Sequence, residues 1–276
     1  MKNKKTKIKV ELSRRDFLTV AATAAGSVVA AQALTTGPLS PFSNLKQSQL
    51  EGVESSAANA KHIPRWGMVI DLDRCIGCEY CLRACSATND VDPQRTWNIV
   101  VPEKTSNGRS FFFSRPCLHC QEAPCVEVCP VKATYHREDG LVVMDYERCI
   151  GCRYCEVACP YDVRVFNWQD RPEGNPFIPT WGIAEVERRP RGVVEKCTFC
   201  IHRIDAGLKK GLTPGVDRDA TPACVNICPV GARTFGNLND PDSPVSQLLA
   251  QTATIRLREE LGTEPNVYYI PPKEGL

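Results

Sequence analysis

The sequence predicts a loop-rich α+β fold of two nested, similar lobes with a helix towards the C-terminus. Three observations support this prediction. The 276 residues include 16 cysteines, which fall into four groups of four. Short apolar runs of strand length adjoin these groups, and one cysteine-rich block occurs twice. With 18 glycines, 21 prolines and only 7% aromatic residues, the composition favours a chain held by cysteine chemistry over one packed on large rings.

Residues 1–33 have the order of a targeting segment. A lysine-rich start precedes Ser-Arg-Arg-x-Phe-Leu at 13–18, and a weakly apolar stretch then leads to small residues at 31–33. The string at 13–18 resembles the twin-arginine export signal, which serves proteins that cross the membrane already folded. We therefore expect a signal peptide and a periplasmic or extracytoplasmic location. Folded export suits a cofactor inserted in the reducing cytoplasm, so we expect the cysteines to bind metal.

The charge is unevenly distributed along the chain. The leader holds seven basic and two acidic residues, a net charge of +5, which leaves −3 for the remainder of a chain of +2. The remainder therefore lacks the basic footprint of a nucleic-acid-binding protein. No run of 18 or more apolar residues occurs, so we expect no direct membrane span and attachment through partners.

The segments after the leader follow from composition and cysteine content. Residues 34–64 lack periodicity and predict a linker. We expect one lobe to combine 65–116 with 169–239 and the other to occupy 117–168. Residues 240–276 then form a C-terminal helix and tail.

The apolar runs predict the regular elements. Short strands are expected, in chain order, at 68–70, 109–115, 141–144, 163–166 and 267–270. The turn Glu-Asp-Gly at 138–140 makes 134–145 a hairpin. A helical pattern covers 247–261, with Ser-Pro at 243–244 as its start and Gly262 as its stop. The last apolar run precedes two prolines, so we expect an edge strand or a strap against a partner.

The internal repeat aligns Asp71–Cys85 with Asp145–Cys159. Both copies contain Cys-x2-Cys-x2-Cys-x3-Cys, and each follows one of the predicted strands. One or two turns of helix are expected after the third cysteine of each copy.

The cysteines form four groups along the chain. Group one is Cys75, Cys78, Cys81 and Cys85. Group two is Cys117, Cys120, Cys125 and Cys129. Group three is Cys149, Cys152, Cys155 and Cys159. Group four is Cys197, Cys200, Cys224 and Cys228. Proline follows the last cysteine of every group except the first, where Ser86 stands.

This spacing is typical of [4Fe–4S] ligation. Three cysteines three residues apart on a curled loop reach three irons of one cube, and in two-cluster bacterial ferredoxins the fourth ligates the neighbouring cube. Gly77 and Gly151 are expected to let the backbone approach a cluster closely. Proline after the fourth cysteine donates no N–H and turns the chain away.

Only 19 residues separate groups two and three, so we expect these groups to exchange ligands and groups one and four to do the same. This nested arrangement predicts four ligand sets. Set 1 is Cys75, Cys78, Cys81 and Cys228. Set 2 is Cys85, Cys197, Cys200 and Cys224. Set 3 is Cys117, Cys120, Cys125 and Cys159. Set 4 is Cys129, Cys149, Cys152 and Cys155. Sequential exchange, with group one paired to two and three to four, remains open from spacing alone.

Two other uses of cysteine fit the sequence less well. Zinc ribbons use pairs of Cys-x2-Cys, and here four cysteines lie within one eleven-residue run. Disulfides between such close neighbours would close only short loops and add little stability.

The four groups, their order and the long gap in group four resemble a known family. With the strings Arg-Pro-Cys-Leu-His-Cys from Arg115 and Lys-Cys-Thr-Phe-Cys-Ile-His-Arg-Ile from Lys196, they look like the four-cluster iron–sulfur subunits of the dimethyl-sulfoxide, polysulfide and tetrathionate reductase type. The resemblance covers 65–239. It implies nested ligation, an integral membrane quinone-interacting subunit and often a molybdopterin catalytic subunit. All sixteen ligand positions are cysteine, as four [4Fe–4S] clusters require.

We therefore expect an electron-transfer subunit of an anaerobic respiratory oxidoreductase, which is not catalytic alone. Its four clusters would relay single electrons between the quinone-handling and catalytic subunits. One alternative partner is a cytochrome-containing membrane complex of sulfur metabolism without a molybdopterin subunit. A more remote alternative is a disulfide-stapled extracytoplasmic binding protein. His119 and His202 lie beside cysteines and are expected either to donate hydrogen bonds to a cluster or to play structural roles.

Overall fold

The computed structural model describes residues 63–273. The leader predicted at 1–33 and nearly all of the linker predicted at 34–64 lie outside this range. Within it, short strands and helices alternate with long loops, which confirms the loop-rich α+β class.

The strands lie in four small sheets. They are β1 (Trp66–Asp71), β2 (Ile99–Lys104), β3 (Ser110–Arg115), β4 (Thr134–His136), β5 (Val142–Met144), β6 (Arg164–Phe166), β7 (Val194–Lys196), β8 (Arg233–Asn237) and β9 (Val267–Ile270). The α-helices are α1 (Tyr80–Asn89), α2 (Pro124–Glu127), α3 (Tyr154–Val157), α4 (Ile201–Lys209), α5 (Ala223–Asn226) and α6 (Pro244–Gln251). Two 3₁₀ turns cover Arg218–Ala220 and Glu259–Leu261.

The largest sheet joins distant parts of the chain in the order β8-β1-β9. Strand β1 is antiparallel to β8, with Met68 opposite Phe235, and parallel to β9, with Met68 also opposite Val267. A strand between two neighbours with both faces covered reads as a continuous apolar run, as β1 does in sequence. Strand β9 is the expected edge strand, and an isolated bridge between Ile255 and Tyr269 covers part of its free side.

The remaining sheets are antiparallel pairs, β2–β3, β4–β5 and β6–β7. The predicted hairpin at 134–145 is confirmed as β4–β5, with Thr134 opposite Met144 and Gly140 at φ +80° in its turn. The carboxylate of Asp139 in this turn accepts a hydrogen bond from Trp66 Nε1 at 2.8 Å. This bond ties the hairpin to β1.

The prediction of one helix over 247–261 is wrong. Helix α6 ends at Gln251, and Thr252 is extended with φ −134° and ψ 134°. Ile255 instead exchanges backbone hydrogen bonds with Tyr269 of β9, at 2.9 and 2.8 Å. The β-branched residues at 252, 254 and 255 suit a strand better than a helix, so pairing with β9 outweighs the helical pattern.

Proline placement accounts for the lengths of the helices that carry cysteines. Helices α2, α3 and α5 have four residues each, whereas α1 has ten. A residue before proline avoids the helical conformation, and proline follows the last cysteine of every group but the first. With Ser86 in that place, α1 continues past Cys85 to Asn89.

Gly151 has a left-handed backbone conformation and leaves no room for a side chain. Its φ is +69°, and a Cβ there would lie 2.2 Å from the carbonyl oxygen of Gly192. Gly77 has the same φ, and its Cβ would meet the ring of Phe112 at 2.4 Å. At both glycines, the position that a Cβ would occupy is therefore filled by other protein atoms. This is a different reason for glycine from the expected close approach of the backbone to a cluster.

We expect Gly151→Ala to destabilise the protein by more than a conformational penalty alone. The left-handed conformation costs an alanine about 1–2 kcal/mol, and the contact with Gly192 adds to it. The matched control is Gly108→Ala, because Gly108 has φ +88° and open space around it. Thermal melting of both variants by circular dichroism tests the difference. Equal melting temperatures would contradict the packing role.

Candidate metal centres

All sixteen cysteines carry free thiols. Eight are buried, seven are partly buried and only Cys152 is exposed. Most of the buried ones pack within the main hydrophobic core, together with aliphatic and aromatic side chains from β1, β5 and β8. The cysteines are therefore part of the protein interior and are not surface additions to it.

Set 1 lines one pocket. All four of its cysteines face this space, along with Ile70 of β1 and Arg233 of β8. Group one follows β1 and group four precedes β8, so the antiparallel pairing of these strands brings Cys228 beside the loop at 75–81. The pairing of β1 with β8, which are far apart in the sequence, thus brings the members of set 1 together.

Set 4 lines a second pocket. Its four cysteines surround this space with Thr134 of β4 and Met144 of β5. The hairpin β4–β5 runs from the end of group two to the start of group three, which places Cys129 against the loop at 149–155.

The cysteines of sets 2 and 3 are neighbours deeper in the core. Burial raises the pKa of Cys85 well above its usual value, and the thiols of the other members of set 2 add to the effect: Cys197, Cys200 and Cys224. Burial likewise raises the pKa of Cys120 to about 12, reinforced by the other members of set 3: Cys117, Cys125 and Cys159. The cysteines of sets 2 and 3 are therefore buried close to one another.

The sets also follow one another through the core. Cys81 of set 1 is among the neighbours that raise the pKa of Cys85 in set 2. Cys117 of set 3 raises the pKa of Cys197 in set 2, after burial and Cys224. Cys125 of set 3 is likewise a neighbour of Cys155 in set 4. Thiols of sets 1 and 2, of sets 2 and 3, and of sets 3 and 4 are therefore near one another.

No three His, Cys, Asp or Glu side chains in the described part of the chain are grouped so that they could hold one metal ion.

Backbone amides point at several cysteine sulfurs. The amide of Ala133 donates to Cys129 Sγ at 3.2 Å, and that of Ala232 donates to Cys228 Sγ at 3.3 Å. In both cases the residue before the donor has a positive φ, 53° at Lys132 and 59° at Gly231. The backbone amides of residues 131–134 together lower the pKa of Cys129 although burial opposes them, so they favour the thiolate form that binds metal.

Side-chain amides add further donors that the sequence interpretation missed. Asn89 Nδ2 lies 3.7 Å from Cys85 Sγ and 3.6 Å from Cys200 Sγ, both in set 2. Asn98 Nδ2 donates to Cys81 Sγ of set 1 at 3.5 Å. Asn89 reaches set 2 because α1 continues past Cys85. The absence of a proline after group one could therefore have predicted this longer helix.

Three buried cations at the set boundaries were also missed. Arg233 lies against Cys81 and Cys224. Arg164 neighbours Cys125 and Cys155. Lys196 is fully buried, and its Nζ donates to the carbonyl oxygens of Val142 and Cys197. For the two arginines the sequence does contain a signal, because each is the fifth residue after the last cysteine of its group.

The two histidines beside cysteines have different settings. His119 is buried and neutral, because burial lowers its pKa well below the usual value. Its Nδ1 accepts the amide of Val142 at 3.1 Å, which leaves the proton on Nε2, and Nε2 has no hydrogen-bond partner among the described residues. His202 Nε2 is instead 3.0 Å from Glu185 Oε2. Of the two, His119 has the free buried donor.

Comparison with known protein families identifies iron–sulfur domains in the chain. Two models described as 4Fe-4S dicluster domains match the chain, one at 109–173 and the other at 74–133 and 148–232. A third, described as the TAT signal of the ubiquitinol-cytochrome c reductase Fe-S subunit, matches 5–36. That match overlaps the predicted leader and indicates export across a membrane. No helix within 63–273 has the length and apolarity to cross a bilayer.

Curated relatives cover most of the chain. A putative iron-sulfur subunit of dimethyl sulfoxide reductase from Halobacterium salinarum is 47% identical over 74% of this chain and 78% of its own length. The iron-sulfur cluster-binding subunit of menaquinone reductase from Nitratidesulfovibrio vulgaris is 44% identical over 77% and 91%. A tetrathionate reductase subunit from Salmonella typhimurium is 35% identical over 96% and 90%.

The cysteine arrangement, the dicluster matches and these relatives agree with the resemblance seen in the sequence. The relatives are iron–sulfur subunits of larger reductases, whose role is electron transfer rather than catalysis. The chain belongs to the 4Fe-4S dicluster family of reductase iron–sulfur subunits, and is itself an electron-transfer subunit.

Proposed function

We propose that the chain holds four [4Fe–4S] clusters and relays single electrons between a membrane quinone-handling subunit and a catalytic partner. The observation that supports the proposal is that sixteen cysteines form four groups of four along the chain, with most of the buried ones inside one hydrophobic core. Each bound cluster would supply reversible one-electron uptake, at potentials that depend on its hydrogen bonds, net charge and exposure.

The residues around the sets fit such a cofactor. Thiolates are the ligands that iron–sulfur clusters use, and the sets offer four thiols each. Amides of Ala133 and Ala232 and side chains of Asn89 and Asn98 donate to the cysteine sulfurs. Hydrogen bonds of this kind stabilise the added electron and tune the potential. The buried arginines provide positive charge where clusters with thiolate ligands would carry negative charge.

We propose nested ligation, with sets 1 to 4 each holding one cluster. The cavities lined by the whole of set 1 and the whole of set 4 favour this over sequential exchange. The two lobes would then be 65–116 with 169–239, holding sets 1 and 2, and 117–168, holding sets 3 and 4. Sets 1 and 4 include the exposed Cys152 and every partly exposed cysteine except Cys159, and would be the ends of the relay.

The membrane and catalytic partners follow from the family. A relative named for menaquinone reductase supports an integral membrane quinone-interacting subunit. Relatives named for dimethyl sulfoxide and tetrathionate reductases support a molybdopterin catalytic subunit in anaerobic respiration. With the TAT signal match, we place the chain on the periplasmic or extracytoplasmic side, peripheral through its partners. A cytochrome-containing membrane complex of sulfur metabolism is the alternative partner.

Metal and sulfide analysis tests the cofactor content. Protein purified without oxygen should contain about sixteen irons and about sixteen acid-labile sulfides per chain, since each of four cubes holds four of each. Alkylation of thiols before and after reduction, followed by mass measurement, checks the disulfide alternative. Stoichiometric zinc, or cysteines that become reactive only after reduction, would refute the proposal.

A further inference from the structure

Two arginines are buried without an acidic partner. Arg233 on β8 is 6% exposed and Arg164 on β6 is 4% exposed. The contacts of their guanidinium groups, as far as residues 63–273 provide them, are with hydroxyl and sulfur atoms. A buried charge is costly unless another charge compensates it, so each arginine requires a source of negative charge nearby.

Arg233 contacts cysteines of two sets. Its Nη1 is 3.7 Å from Cys224 Sγ of set 2, and its Nη2 is 3.7 Å from Cys81 Sγ of set 1. Nη2 also donates to the hydroxyl of Ser114, and Nη1 lies 3.7 Å from the sulfur of Met68. One guanidinium therefore spans the boundary between sets 1 and 2.

Arg164 has the corresponding position in the other half of the core. It neighbours Cys125 of set 3 and Cys155 of set 4. Its Nη1 lies 3.1 Å from the sulfur of Met144 and 3.3 Å from Thr134 Oγ1. Its Nη2 is buried and has no hydrogen-bond partner among the described residues. This guanidinium therefore spans the boundary between sets 3 and 4.

The two arginines have the same position relative to the last cysteine of their groups. Arg164 follows Cys159 by five residues, and Arg233 follows Cys228 by five. Each begins a short strand, β6 or β8, four residues after the proline of a Cys-Pro pair. Each arginine also lies beside a methionine sulfur and a hydroxyl oxygen. The shared position and surroundings indicate that both arginines have the same role.

We propose that Arg233 and Arg164 are positioning residues that each hold a fixed positive charge between two clusters and raise the reduction potentials of that pair. Arg233 would act on the clusters of sets 1 and 2, and Arg164 on those of sets 3 and 4. Reduction adds a negative charge to a cluster, and a nearby positive charge stabilises the added electron most strongly where water is excluded. The inference rests on the proposed function, since it requires clusters in all four sets.

The test is a redox titration of the holoprotein followed by paramagnetic resonance, on the wild type, Arg233→Gln and Arg164→Gln. Four one-electron steps are expected in the wild type. Each glutamine variant should lower two of them, shifting the reduced-to-oxidised ratio at fixed potential by about tenfold, which equals about 59 mV for one electron. The two variants should move different pairs of steps, so each serves as the control for the other.

The outcomes separate this inference from the proposed function. A wild type without about sixteen irons would refute the function itself. Four steps that neither glutamine variant lowers, or the same pair lowered by both, would overturn only the inference. If a glutamine variant fails to load iron, Arg233→Lys and Arg164→Lys are compared with it. If the lysine variants load iron, the sites require a positive charge, which supports the inference. If the lysine variants also fail to load iron, the inference is overturned.

Discussion

Replacing Cys75 and Cys228 together with alanine should cost the protein no more iron than replacing either one alone. Both belong to set 1 and line the same cavity, so the first substitution already removes a ligand of that cluster. Residues that act on one unit are non-additive, whereas distant independent sites add. The expected loss is about four of sixteen irons if the cluster is lost as a whole.

The pair Cys149 and Cys228 is the matched control. These cysteines lie in sets 4 and 1, which line separate cavities, so the double variant should lose twice the iron of a single one. Sequential exchange predicts the reverse for both pairs, because it joins Cys228 to group three. Iron analysis of the single and double variants, with the number of reducible spins, decides between the arrangements. Additive loss from Cys75 and Cys228 would exclude nested ligation.

Removing the iron should unfold the protein. The strands have three to six residues, and seven buried cysteines belong to the main core. Without clusters, Arg233 and Arg164 would also be buried charges with no compensating partner. Uncompensated buried charges cost about 3–5 kcal/mol each, and two of them together approach the whole stability of a typical domain, about 5–15 kcal/mol.

Circular dichroism during anaerobic chelation measures this effect. We expect the cooperative thermal transition to disappear as iron is withdrawn, with reductant present so that disulfides do not form. The control is the same sample rebuilt with iron and sulfide, which should recover both the transition and the spectrum. A chelated protein that retains the spectrum and melting temperature of the loaded form would contradict this account.

Much of the fold could be predicted because its signals are local. The strands at 68–70 and 141–144 are continuous apolar runs, and the hairpin at 134–145 has its glycine at the turn. The grouping of cysteines follows from spacing within short loops. What failed was the helix over 247–261, because its continuation depended on β9, a pairing that no local pattern announces.

The surroundings of the cysteines were harder to predict for the same reason. Arg233 touches Cys81 across 152 residues of sequence, and Asn89 touches Cys200 across 111. Such contacts arise only after β1 and β8 pair and α1 packs against α5. The equal distance of Arg164 and Arg233 from the last cysteines of their groups was visible in the sequence. The role of these arginines, however, depends on neighbours that only the folded chain brings close.

The position of β1 between β8 and β9 has a consequence for biosynthesis. Its partners lie about 165 to 200 residues later in the chain, so the central sheet cannot close until the ribosome has translated residue 270. Long-range pairing also makes folding slow. The central sheet therefore forms only after residue 270 has been made, and a nascent chain exported before that point would leave the cytoplasm with the sheet unmade.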